Sequence, residues 1–148
     1  MADSHDFDAD RTKVRLDVTI NADPEAINPV VESVLEMAAR MGCAKGSELE
    51  VEMAIREALA NAIKHGCGGD ASKKVRCRVA CDESKGMLIV VSDPGRGFDP
   101  ATVASPLQGE RLYSDHGRGL FLINQLMDKV WFKEGEGGTE IHMVKSIQ

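Results

Sequence analysis

A chain of 148 residues and 16.0 kDa is the size of one domain, and its 43% apolar content is enough for one core. A net charge of −6 argues against nucleic acid or anionic lipid as the main partner, and 4% aromatic residues leave too few rings for a single-strand stacking platform. No apolar run approaches the roughly 20 residues of a bilayer span, and the acidic start lacks a signal-peptide pattern, so the expectation is a soluble cytoplasmic protein.

Residues 1–12 are polar and Asp-rich and predict a flexible N-terminus ahead of one domain over 13–148. Val14, Leu16, Val18 and Ile20 alternate with polar residues, the period of a half-buried strand. Asp23-Pro24 predicts a cap and a first helical turn. Apolar residues at helical spacing then run from Val30 to Met41, with Asn28-Pro29 as a second possible start and Gly42 as the stop. Ser47-Glu48-Leu49-Glu50 reads as a capping box opening a helix to about His65.

Strands are predicted at 73–82 and 87–92 around a turn near Ser84-Lys85-Gly86. Residues 93–116 read as a long loop, a length that points to a functional segment. A helix from Gly119 to about Lys129 follows, then strands at 130–133 and 139–145 joined by a Gly-rich turn. This order predicts an α+β two-layer sandwich, a mostly antiparallel mixed sheet with helices on one face.

Cys43, Cys67, Cys77 and Cys81 read as four reduced thiols, because nothing suggests export and the chain can fold without staples. Cys77 and Cys81 are not followed by ligands at zinc-finger spacing, and the four histidines are scattered.

Three segments carry chemistry. Glu57 and Asn61 lie four apart, so a helix projects them from one face, away from the apolar stripe of Val51, Ile55, Ala58, Leu59 and Ala62. An Asn amide oxygen suits Mg²⁺ beside phosphates, and a carboxylate one turn away can orient or deprotonate a nucleophile. Asp93-Pro94-Gly95-Arg96-Gly97 follows an apolar strand; Asp93 can accept from an exocyclic amine, and Gly95 and Gly97 let a flat ring approach the backbone. Gly117-Arg118-Gly119 opens a helix, whose free N–H groups and dipole favour phosphate. It is only part of a dinucleotide fingerprint, since Leu122 stands where a third glycine would be and no strand leads into it.

In order and spacing, these segments resemble the nucleotide boxes of the GHKL ATPase superfamily, and Gly138-Thr139 before the last strand resembles its final box. The pattern Glu-x-x-x-Asn-Ala-x-x-His-Gly over 57–66 is most similar to the anti-sigma factor serine/threonine kinases. The resemblance covers roughly residues 13–145. It implies a histidine-kinase-like ATPase fold, ATP and Mg²⁺ as cofactors, and a lid at residues 98–116. By the same resemblance Glu57 is the general base and Asn61 the metal ligand. Asp93, Gly95 and Gly97 line the adenine site, Gly117, Arg118 and Gly119 the phosphate turn, and Thr139 the last box.

The implied function is transcription regulation by a protein kinase that phosphorylates an anti-anti-sigma type partner and holds a sigma factor, as a homodimer. The alternative is an ATP-binding partner-switch module without significant kinase activity. It is raised by one departure from the family: Asp115 and His116 stand where some members carry an Arg before the Gly-x-Gly, leaving Arg111 and Arg118 as the nearby guanidiniums.

Overall fold

The computed structural model describes residues 14–95, 116–135 and 137–147. The expected flexible N-terminus, most of the expected lid and Gly97 lie outside them.

β1 (Val14–Asn21) shows the alternating burial that its sequence dictates. The Asp23 carboxylate then accepts from the Glu25 N–H at 2.9 Å and starts a 3₁₀ turn, Pro24–Ala26. α1 (Ile27–Met41) continues from it with Pro29 in its first turn, where a missing N–H costs nothing. Gly42, at φ 72°, closes the helix in the left-handed conformation.

α2 (Glu48–Asn61) starts where expected, but without the capping box. Ser47 makes no side-chain cap bond; instead the Glu48 carboxylate accepts from Gly46 N–H at 3.1 Å. Ser47 is buried, and its own N–H is tied to the Ala44 carbonyl at 2.8 Å, a turn that takes its backbone away from the usual cap geometry. The helix then widens into a π-turn, Ala62–Gly66.

β2 (Lys74–Asp82) and β3 (Gly86–Asp93) form a hairpin. The Asp82 carboxylate organises its turn, accepting from Ser84 N–H at 2.7 Å and Ser84 Oγ at 2.6 Å. α3 (His116–Leu126) begins three residues earlier than predicted, so Gly117 and Gly119 lie inside its first turn. β4 (Lys129–Gly135) and β5 (Gly138–Ser146) complete a sheet of order β1-β2-β3-β5-β4. The expected mostly antiparallel α+β sheet is borne out, and only its mixed character is corrected, since every pairing among the described strands is antiparallel.

The helices pack on the sheet and on each other. Ile55 and Leu59 of α2, Ile123 of α3, Met87 and Ile89 of β3 and Met143 of β5 are fully buried between the layers. Truncating one of these to Ala should cost about 2–5 kcal/mol. A smaller apolar group, Ala80, Leu88, Val90 and Val144 with Trp131, forms a separate cluster.

The expectation of four reduced thiols is also corrected. Cys43 and Cys81 are joined as a disulfide with Cα atoms 5.8 Å apart, while Cys67 and Cys77 are buried thiols. Packing α1 against β2 brings the loop after the helix onto the far end of the strand, a closeness that sequence spacing does not reveal.

Candidate functional site

The site sits where α2 ends, α3 begins, β3 ends and β5 begins. A cavity of about 200 Å³ is lined by Ala58, Asn61, Ala62, His65, Gly66, Val91, Asp93, Leu120, Phe132, Thr139 and Ile141. Its walls are mostly apolar, with a few polar groups that fix orientation, the usual make-up of a small-molecule pocket.

At one end the β3–β5 register sets Asp93 opposite Thr139 and Val91 opposite Ile141. The Asp93 carboxylate accepts from Gly95 N–H at 2.8 Å, and Thr139 Oγ1 donates to the Gly95 carbonyl at 3.3 Å. Burial pushes the Asp93 carboxyl above the usual carboxylate range, opposed in part by the Gly95 N–H. Backbone approach is so close that side chains are excluded. A Cβ on Gly66 would stand 2.2 Å from Asp93 Cγ, and one on Gly138 would stand 1.9 Å from the Asp93 carbonyl oxygen. The π-turn supplies Gly66: its wider ring, closed by Cys67 N–H on the Ala62 carbonyl at 2.9 Å, ends α2 against the strand. Such turns often mark functional positions.

At the other end Glu57 and Asn61 project from the last turns of α2 toward the first turn of α3. A Cβ on Gly119 would stand 2.7 Å from Asn61 Nδ2 and 3.1 Å from Glu57 Oε1. Among the described residues Asn61 Nδ2 is buried without a hydrogen-bond partner. This amide N–H is a donor available to an acceptor in the adjoining cavity. Among the described residues no group of three or more His, Cys, Asp or Glu could hold a metal ion.

The structure therefore brings Asp93, Gly95 and Thr139 together at one end, and Glu57, Asn61 and Gly119 at the other. Gly117 and Arg118 belong to the first turn of α3. Sequence reasoning passed over His65, Phe132, Ile141 and above all Gly66 as lining residues. Gly66 was nonetheless visible as the last residue of the Asn-Ala-x-x-His-Gly pattern.

The model of the histidine kinase-like ATPase domain family matches residues 20–145. The serine-protein kinase RsbW of Halalkalibacterium halodurans is 30% identical over 139 residues, covering 90% of this chain and 83% of that protein. The serine-protein kinase RsbW of Bacillus subtilis strain 168 is 27% identical over 133 residues, covering 84% and 81%. A crystal structure of the RsbU and RsbW domains of a Mycobacterium tuberculosis protein shares the fold, with a TM-score of 0.59 at 22% identity. The match covers 88% of this chain and 32% of that one. Among the described residues no helix is long and apolar enough to cross a membrane. On these matches the chain belongs to the histidine kinase-like ATPase domain family and, within it, to the ATP-binding serine-protein kinases of the RsbW anti-sigma type.

Proposed function

We propose that this chain transfers the γ-phosphoryl group of ATP to a serine or threonine of an anti-anti-sigma type regulatory protein. The observation that carries this reading is the meeting of Glu57 and Asn61 with Gly119 beside a cavity that Asn61 and Asp93 both line. Adenine fits the apolar end, with its exocyclic amine donating to the Asp93 carboxylate. Thr139 and Gly95 stand at that end, where the family resemblance also assigns Gly97, and the phosphates run toward the first turn of α3, with Gly117, Arg118 and Gly119 around them. Glu57 then accepts the proton of the incoming hydroxyl as its oxygen attacks the γ-phosphorus and ADP leaves.

The residues present suit Mg²⁺. The ion keeps most of its water, needs only one or two protein oxygens beside substrate phosphates, and requires no preformed carboxylate cluster. Asn61 would present Oδ1 to the ion, leaving its buried Nδ2, which has no partner among the described residues, to donate to a phosphate oxygen, and the ion would neutralise phosphate charge. In this reading residues 13–148 form one ATPase domain, with the family's lid expected at about 98–116 and a flexible N-terminus at 1–12. Family membership supports, beyond this, a cytoplasmic homodimer that also holds a sigma factor. The test is incubation of the purified chain with γ-labelled Mg-ATP and purified anti-anti-sigma type proteins of its own genome. Label on a serine or threonine of one of them is expected. ATP binding without transfer to any of them would favour the partner-switch alternative.

A further inference from the structure

Three large apolar side chains stand out as exposed among the described residues, and two of them share one helix: Leu49 at 66% and Met53 at 38% exposure. They lie four apart on α2, and Glu57 is the next residue in the same series. At about 1.5 Å rise per residue, Met53 stands roughly 6 Å and Leu49 roughly 12 Å along the axis from Glu57. Each step of four turns about 40°, so the stripe winds from the open crest of the helix toward the cavity.

The fold does not need these two side chains. The core-facing side of α2 is already filled by Val51, Ala54, Ile55, Ala58 and Leu59. One flank of the crest is closed by Arg56, which bonds Glu52 at 3.2 Å and Asn28 of α1 at 2.6 Å. The other is closed by α3 at Gly119. Between them, among the described residues, Leu49 and Met53 stay exposed, and acidic Glu48, itself bonded to Gly46 N–H, and Glu50 lie beside the pair.

The geometry points to this crest as the docking surface for the phosphoacceptor protein, an inference that rests on the kinase reading above. A hydroxyl delivered to Glu57 arrives on a folded protein, and the surface beside that hydroxyl must lie along α2. The matching patch on the acceptor is apolar, rimmed by Lys or Arg that answer Glu48 and Glu50. Two side chains bury far less than the roughly 1,200–2,000 Å² of a stable interface. This suits a kinase that must release its product, and it argues against a second copy of this chain as the occupant.

The test is steady-state transfer from Mg-ATP to the purified anti-anti-sigma type acceptor by wild type and by the double variant Leu49→Ser, Met53→Ser. ATP affinity and Tm serve as fold controls. The expected result is a rise of about tenfold or more in KM for the acceptor, with kcat and ATP affinity held. A wild-type KM in the double variant overturns the docking surface while the kinase reading stands. So does a change in self-association by sedimentation with KM unmoved, which would make a second copy the occupant. If the wild type itself transfers nothing to the acceptor, the kinase reading fails and takes the docking surface with it.

Discussion

The two ends of the cleft are built differently. The Asp93 end is built around backbone: Gly95 lies against the Gly66 backbone and Gly138 against the Asp93 carbonyl so closely that neither has room for a Cβ, and Gly66 lies as closely on the Asp93 carboxylate. The Glu57 end is made of side-chain tips that reach from one helix to the first turn of another, and the atoms nearest Gly119 are the amide and carboxylate ends of Asn61 and Glu57. A side chain added at a glycine of the first end must act through the fold. At the second it can act on ligand or chemistry while the fold survives.

The largest expected effect is a control that touches neither end. Cys81 pairs with Met87, at the opposite end of β3 from Asp93, so the disulfide lies about 20 Å from the site along the strand. It closes a separation of 38 residues, worth about 4 kcal/mol by the loop-entropy relation. Cys43→Ser should lower unfolding free energy by up to that amount in urea titration and leave ATP affinity unchanged in the folded protein.

The direct contrast comes next. Gly138→Ala sets a methyl against backbone and should cost about 1–3 kcal/mol of stability or more, with ATP binding falling alongside. Gly119→Ala meets only flexible tips. It should hold or raise Tm, since Ala favours a helix over Gly by about 1 kcal/mol, while weakening nucleotide binding. Equal loss of stability in the two variants would break the comparison.

Asp93→Asn should lower adenine-nucleotide affinity by about 1–3 kcal/mol, because an amide replaces one acceptor oxygen with a donor. Burial raises the Asp93 carboxyl in the folded state. Its ionised form is therefore disfavoured by folding, and the stability from its proton is present at low pH and lost as pH rises through the raised value. At neutral pH the Asn variant should keep or gain stability while losing affinity. Binding by wild type should fall on acidification, beginning above the usual carboxylate value of about 3.9. Adenosine titrations across pH 4–7, roughly spanning that range, check this, and the Asn variant should lack the Asp93 component.

Much of this architecture is legible in the residues, because it rests on local periodicity. The alternation in β1, the glycine stop after α1, and the i, i+4 placement of Glu57 and Asn61 are all short-range signals. What the sequence hides depends on register and packing. Nothing near Gly66 announces that Asp93 will lie on it, since that contact needs the π-turn and the end of β3 together. The Cys43–Cys81 bond likewise follows from α1 docking on β2. The capping box at Ser47 misled for a related reason: the turn at Ala44 fixes the Ser47 backbone and leaves Glu48 to meet Gly46 N–H instead.

The central claim is that Glu57 serves the acceptor hydroxyl and not the nucleotide. Single-turnover transfer from Mg-ATP to the purified acceptor by Glu57→Ala, measured beside calorimetric ATP affinity, tests it most directly. The expected result is an affinity near wild type and a transfer rate lower by about 10²–10⁴. Unchanged transfer would contradict the account. ATP affinity lost with the fold intact would also contradict it, and would assign the carboxylate to the nucleotide and its ion.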